Sequence, residues 1–404
     1  MGKSKKMKIL YDHQIFAIQK YGGISRYFYE LLSYYSKNPD VQCELSLLKT
    51  GNYYLRDSKL IDGSMFVDRN NNDENHSTPK IIGYFKRFSF PGKAVLKKKV
   101  KRILRPDDIA VVNENYSRAA IRSGRFDIFH PTYYDSYFLK QLKGRPFVLT
   151  VYDMIHELFS KQYRDLNNHI IRNKRILVKK AAKVIAISEN TKKDLLQIYN
   201  VPAEKIEVVY LASTFKRILM DGGLPDVPGN YLLYVGDRKD YKNFNGFVRA
   251  IGKLLQKDDD LYLVCAGGRQ FTSSEQELLR KLNISNKIKS FPFINDGVLT
   301  HLYSNARAFV FPSLYEGFGL PVLEAFSCGC PVAASNSGSL PEVAGDAAIY
   351  FNPLDENSIQ NTIIKIMDRA TRQNLISKGY KRLNDFNWEK TALQTLDVYR
   401  EIIG

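Results

Sequence analysis

The sequence predicts an α/β chain folded as two doubly wound parallel sheets. Three observations carry that prediction. Short runs of β-branched and aromatic residues alternate with amphipathic stretches of helical period along most of the chain. The alternation is interrupted by a Gly- and Pro-containing connector, Leu211 to Asn230, and then restarts. At 404 residues and 44% apolar content, the chain is long enough to bury two cores.

In order, Lys8-Ile-Leu-Tyr reads as a first strand, followed by a loop through Gly22-Gly23. A helix is expected from about Ile24 to Ser36, with Tyr27, Phe28, Leu31, Leu32 and Tyr35 as its apolar side. Val41 to Leu48 is a second strand, and the polar stretch Lys49 to Asn75 is expected to be irregular. Phe126 to His130 and Pro146 to Asp153 are further strands. A basic helix over Asn168 to Lys180, a strand from Lys183, a helix from Glu189 to Tyr199 and a strand from Ile206 complete this half. After the connector, strands begin at Tyr231, Leu261, Ile288, Phe309, Val332 and Ala348. Helices over Phe244 to Leu255, Ser274 to Leu282 and Val298 to Ser304 lie between them. The expected organisation is therefore a first domain over 1–212, a connector over 213–230 and a second domain over 231–387. A last helix, about Trp388 to Ile403, is expected to cross back onto the first domain. In such folds ligands bind at the C-terminal ends of the strands, which here places a site in the cleft between the two domains.

Composition excludes several classes. No apolar run approaches the ~18 residues of a membrane span. The basic N-terminus is not followed by the apolar stretch of a signal peptide, so a cytoplasmic protein is expected. Cys43, Cys265, Cys328 and Cys330 show no metal-ligand spacing and read as buried thiols. No metal site is expected. The net charge of +18 calls for an anionic partner. Its densest stretch, residues 84–105, carries nine basic residues and no acidic one. Leu96, Val100, Ile103 and Leu104 form an apolar stripe within it, beside Phe85, Phe88 and Phe90. That pattern suits either an element resting on an anionic membrane surface, such as the inner face of the cytoplasmic membrane, or a docked helix with solvated lysines.

The most informative stretch runs from Phe309 to Ala334. A strand ends at Pro312-Ser313, and Gly317 and Gly319 bracket a loop. Pro321 opens a helix that stops at Gly329. A helix start offers free N–H groups and a positive dipole end to an anion such as a diphosphate. Glu316 sits in the loop. Glu324 lies on a largely apolar helix, where a carboxylate needs a partner or a ligand. Arg238 and Lys242 hang from another strand-end loop, where a doubly wound sheet places phosphates. Gly22-Gly23 offers amides from the opposite side, although it lacks the dinucleotide-binding pattern. His130, Asp153 and His156 end or follow strands of the first half; Asp153 is the better candidate for a hydroxyl contact, and a lone His is more often structural.

Taken together, these residues resemble the retaining nucleotide-sugar glycosyltransferases of family 4, whose GT-B architecture pairs two Rossmann-like domains across a cleft. The resemblance covers nearly the whole chain. It is most specific at Glu316-Gly-Phe-Gly-Leu-Pro-Val-Leu-Glu324, the spacing of the family's Glu-x7-Glu motif. Tyr21-Gly-Gly-Ile-Ser-Arg-Tyr, Val235-Gly-Asp-Arg-Lys-Asp-Tyr-Lys-Asn and Ser337-Gly-Ser-Leu-Pro-Glu-Val support it. The resemblance implies that Glu316 contacts the donor sugar and Glu324 the ribose. It implies that Gly236 and the amides of Gly317, Phe318, Gly319 and Leu320 line the donor site. It implies that Arg238 and Lys242 neutralise the leaving diphosphate without a metal or other cofactor, and that Phe293 and Ile294 lie near the base. Many relatives carry His-Asp where this chain has Tyr152-Asp153; His156 and His130 are the candidate substitutes. The subgroup most resembled is the bacterial mannosyltransferases of O-antigen and capsule assembly. It implies GDP-mannose as donor and a lipid-linked or lipopolysaccharide acceptor. Two other readings are a nucleotide-sugar 2-epimerase of the same fold, which needs no acceptor, and a basic nucleic-acid binder. The latter lacks a recognisable module, and no nucleic-acid partner is expected.

Overall fold

The structure, a computed structural model, describes residues 6–56, 58–62, 65–67, 106–160, 167–215, 226–292 and 295–404. The basic stretch 84–105, Phe293 and Ile294 lie outside the described residues.

Every named strand pairs in parallel. In the first half, β1 (Met7–Asp12) lies between β2 (Val41–Ser46) and β3 (Ile128–His130). A second group places β5 (Lys183–Ala186) between β4 (Val148–Val151) and β6 (Ile206–Val208). A parallel bridge between Phe129 and Phe147 joins the groups, so the strands run β2-β1-β3-β4-β5-β6. The second half forms one sheet from β7 (Tyr231–Val235), β8 (Tyr262–Ala266), β9 (Ile288–Phe291), β10 (Ala308–Phe311), β11 (Val332–Ser335) and β12 (Ala348–Phe351). Its order is β12-β11-β10-β7-β8-β9. The order reverses between β7 and β10, and at such a switch point the loops leaving two neighbouring strands diverge and open a crevice. The central strands are buried on both faces: every residue of β7, β10 and β11 is buried, as their near-continuous apolar sequences require.

Three longer helices go beyond the sequence reading: Pro106–Ser123, Glu356–Met367 and Arg369–Arg382. The last is polar almost all round and buries only Leu375 and Gly379, so its sequence lacks a clear apolar stripe. The region after β2 is also more ordered than expected. Thr50 bridges Phe66 in parallel, and Tyr53–Arg56 forms a helical turn.

One apolar core runs through both halves, from Tyr11 and Phe28 through Tyr152 to Phe318 and Leu323. A second covers the other face of the second sheet around Leu232, Tyr234, Phe247 and Ile363. The last helix, Trp388–Ile403, packs on the first half. The Tyr35 hydroxyl donates to the Ala392 carbonyl at 2.7 Å, and the Thr391 hydroxyl to the Tyr210 carbonyl at 2.8 Å. The Tyr399 hydroxyl lies 2.8 Å from that of Tyr11 and 2.6 Å from Nδ1 of His130. All three side chains are fully buried, so each polar atom depends on the others. Tyr399→Phe is expected to cost ~1–3 kcal/mol, because it strands buried polar atoms without filling space differently. Denaturant unfolding checks this; a midpoint equal to that of the parent would refute it.

Candidate active site

The loops leaving β7 and β10 meet at the switch point. After β7 the chain makes a single 3-10 turn, Asp240–Lys242. The Leu314 amide donates to the Tyr241 carbonyl at 2.7 Å and ties the two loops together. Lys242 Nζ then donates to Oε1 of Glu316 at 2.6 Å, with both side chains largely out of solvent. The ammonium also lies 5.1 Å from the centroid of the Phe311 ring, the last residue of β10. The structure thus joins two of the sequence-predicted site residues directly.

Arg238 takes a different course. Its Nε donates to Oε1 of Glu275 at 3.0 Å, its Nη2 donates to the Arg269 carbonyl, and its guanidinium lies 4.4 Å from the centre of the Phe271 ring. Its Nη1 is buried with no hydrogen-bond partner. Arg238 therefore stands beside the Lys242–Glu316 pair rather than in it. Gly236, at the end of β7, has a φ of +117°, which a side chain would strain.

Glu316 is followed by Gly317, whose missing side chain has a definite use. A Cβ there would lie 1.9 Å from the Tyr152 carbonyl and 2.8 Å from Asp153 Cβ. The glycine admits the end of β4 rather than a ligand, and this brings Asp153 of the first half against the Glu316 loop. Asp153 Oδ1 accepts the Ile155 amide at 3.0 Å, and Nδ1 of His156 lies 4.0 Å from the same oxygen. Nδ1 of His156 has no hydrogen-bond partner. Burial pushes the His156 pKa down, and Asp153 opposes that shift. Lys174, fully buried, supports this corner. Its Nζ donates to the Asp153 carbonyl at 2.9 Å and to Glu157 Oε2 at 2.9 Å. His130 does not join the cleft. It is fully buried, with Nδ1 at Tyr399 and Nε2 at 3.0 Å from the Thr150 hydroxyl. Burial pushes its pKa down to about 3, so the expectation of a ligand-facing histidine there is corrected to a core one.

Gly319, with φ of +106°, caps the Leu320–Ser327 helix. The Phe318 ring packs against Tyr210 and Phe386, which also pack against each other. Opposite, Gly22 and Gly23 open the Gly23–Tyr35 helix. A Cβ on Gly23 would lie 3.1 Å from Leu320 Cδ1, so the two helix starts face each other across the cleft.

One turn into each helix lies a charged residue. Arg26 donates to the Thr214 hydroxyl and lies 5.9 Å from the Tyr54 ring centre. Glu324 is partly buried, with the Tyr303 hydroxyl 3.4 Å from its Oε2. Burial pushes its pKa up to about 7; Arg26 pulls it down, Asp296 pushes it up, and Tyr303 pulls it down. Arg26 and Tyr54 went unread in the sequence. Arg26 sits inside the glycine-containing stretch Tyr21 to Tyr27, so its spacing from Gly23 was the available signal. Among the described residues there is no group of three or more His, Cys, Asp or Glu side chains that could hold a metal ion.

Two family descriptions match adjoining parts of the chain: Glycosyltransferase Family 4 over residues 21–212 and Glycosyl transferases group 1 over residues 217–382. O-antigen chain mannosyltransferase B of Escherichia coli is 28% identical over 360 residues, covering 86% of this chain and 91% of that protein. O-antigen chain mannosyltransferase RfbU of Salmonella typhimurium is 31% identical over 189 residues, 47% of this chain and 52% of that protein. Among solved structures, sucrose-phosphate synthase from Thermosynechococcus elongatus aligns with a TM-score of 0.68 at 18% identity over 99% of both chains.

The Glu324 environment yields a pH prediction. The folded protein keeps this proton until about pH 7, whereas an exposed glutamate releases it near 4.5. Between those values the folded state binds more protons, so this group's contribution to stability falls as pH rises through the window and is constant outside it. Glu324→Gln should remove that slope and gain up to ~3 kcal/mol over the parent at pH 8 relative to pH 4. Parallel stability–pH curves for the two proteins would show that Glu324 is not the titrating group.

Proposed function

The chain belongs to the family 4 glycosyltransferases of GT-B architecture, and on that premise we propose that it transfers mannose from GDP-mannose to a lipid-linked or lipopolysaccharide glycan acceptor, with retention of configuration and without a metal. The observation that carries the reading is the Lys242–Glu316 pair at 2.6 Å, placed at the switch point beside a helix start. One group supplies positive charge for a leaving diphosphate. The other supplies a carboxylate for sugar hydroxyls. The mannose preference rests on relatives that are O-antigen mannosyltransferases. The names of the same relatives support a glycan acceptor, and the basic charge of the chain is what supports placing the protein at the inner membrane face.

In this mechanism the diphosphate lies at the Leu320–Ser327 helix start, on the side where Gly22 and Gly23 approach it. Lys242 and Arg238 offset the charge that builds on the phosphate oxygen as the glycosidic bond breaks. Glu316 exchanges its ammonium partner for sugar hydroxyls, and Glu324 takes the ribose hydroxyls. Asp153, held against Gly317, reaches the sugar from the first half. The acceptor hydroxyl attacks from the face the diphosphate leaves, and the departing phosphate oxygen accepts its proton. Two substitutes for a catalytic metal are then already in place, a fixed cation and a helix dipole.

Incubation with GDP-mannose and a lipid-linked glycan should release GDP only when acceptor is present, with UDP-hexoses as weaker donors. Lys242→Ala should lower kcat ~100-fold, the scale of losing one transition-state donor. Near-parental turnover in that variant would sink the assignment, and isomerisation of the sugar nucleotide without acceptor would favour an epimerase. Turnover is also expected to be unchanged in EDTA; a loss restored by magnesium would overturn the metal-free mechanism.

A further inference from the structure

The loop that carries Glu316 is gripped from the first half of the chain, and a glutamate from the second half completes the grip. Ser188 Oγ donates to the Gly317 carbonyl at 2.8 Å, with Thr191 Oγ1 at 3.4 Å from the same oxygen. Ser188 is also the N-cap of the Glu189–Tyr199 helix, accepting the Thr191 amide at 3.0 Å. The first two amides of that helix are taken by Glu342. The Glu189 amide donates to Oε1 at 2.6 Å and the Asn190 amide to Oε2 at 3.1 Å. A carboxylate at a helix start meets free N–H groups and the positive end of the dipole, so the contact is charge-assisted at both oxygens.

Glu342 is linked in turn to the Glu316 loop from below. Ser339, three residues earlier, places its hydroxyl 3.0 Å from the Glu316 carbonyl and 2.8 Å from the Phe318 carbonyl. Gly338 has a φ of +61°, and a Cβ there would lie 2.8 Å from both Glu316 N and Glu316 O. Arg382 donates to the carbonyls of Glu342 and Val343 at 2.6 and 2.9 Å and fixes the backbone of the short Leu340–Ala344 helix. Beside it, Asn190 Nδ2 donates to the Tyr315 hydroxyl at 3.2 Å, and that hydroxyl donates to Asp194. One helix end of the first half therefore holds two points of the second half, Gly317 and Glu342, that are themselves bonded together through Ser339.

We propose that Glu342 is a positioning residue for transfer: by capping the Glu189–Tyr199 helix it keeps the Glu316–Phe318 loop in register with Asp153 across the cleft. The proposal rests on the function inferred above for what that loop does. It makes a split prediction. Of the groups placed on the nucleotide, Lys242, Arg238, Glu324 and the Leu320 helix start belong to the second half and only Gly22 and Gly23 to the first, so nucleotide affinity depends on the grip less than turnover does. Transfer needs Asp153 and Glu316 together, so turnover depends on it.

The test compares Glu342→Ala, Glu342→Gln and Ser188→Ala with the parent. It reads GDP affinity by calorimetry, GDP release from GDP-mannose, and melting temperature, with UDP and a UDP-hexose replacing these if GDP does not bind. Glu342→Ala is expected to lower kcat ~10- to 100-fold, the cost of a misplacement of about 1 Å, while the Kd for GDP stays within about threefold. Glu342→Gln should fall between, since an amide can accept only at its oxygen. Glu342→Ala and Ser188→Ala combined should cost little more than the worse single change, because both act on one loop. A kcat drop below about fivefold in Glu342→Ala, a parallel loss of GDP affinity and melting temperature, or full additivity overturns the proposal. Lys242→Ala separates the levels: if it leaves turnover intact, the functional reading falls, whereas its loss of turnover beside an active Glu342→Ala discards the grip alone.

Discussion

Two helices begin at the same place from opposite sides. The side chain of Leu320, the first residue of one helix, reaches Gly23 at the start of the other, where an added Cβ would lie 3.1 Å from Leu320 Cδ1. Each start carries the positive end of a helix dipole, and like ends brought together repel unless something negative lies between or beside them. The rest of the cleft answers that constraint. Glu316 and Glu324 sit in and just beyond one start, Glu30 is one turn past Arg26 on the other, and Asp296 opens a third helix nearby. Burial pushes the carboxyl pKa of Glu30 and of Glu324 upward, toward the neutral form. Lys242 and Arg26 hold the balance from either side of the cleft.

Much of this was legible in the sequence. The strands from Tyr231, Val332 and Ala348 announce themselves through apolar runs bounded by breakers, and the sequence places the helix Glu189–Tyr199 between two strands with the same bounds the structure gives it. The loop from Glu316 to Glu324 was legible because two glycines, a proline and two glutamates each carry a separate local meaning. What escaped was long-range. Gly317 looks like a glycine that admits a ligand, but what it admits is the backbone of a strand from the other half. His130 ends a strand on the cleft side in sequence terms, yet a tyrosine 269 residues later claims its ring nitrogen. No local pattern encodes either partner.

The buried charges follow the same logic. Lys174 has no exposed surface, so its ammonium must be paired, and Glu157 and the Asp153 carbonyl pair it. A point charge with several fixed donors is a rigid support for a strand end that carries a functional side chain. Arg238 is held just as firmly by Glu275 and the Phe271 ring, yet keeps one buried nitrogen unpaired. Such an atom is costly in a finished core and ordinary at the edge of a binding site.

The helix Trp388–Ile403 bears on how the protein is made. Synthesis proceeds from the N-terminus, so β1 and the Gly23–Tyr35 helix leave the ribosome long before the residues that satisfy them. Until the Trp388–Ile403 helix emerges, Tyr11, Tyr35 and His130 lack Tyr399 and the Ala392 carbonyl. The first half can collapse during translation, but its polar core closes only once the Trp388–Ile403 helix is available to pack on it. A nascent chain from which the Trp388–Ile403 helix has not yet emerged has the strands of both sheets but a tyrosine-lined seam still open.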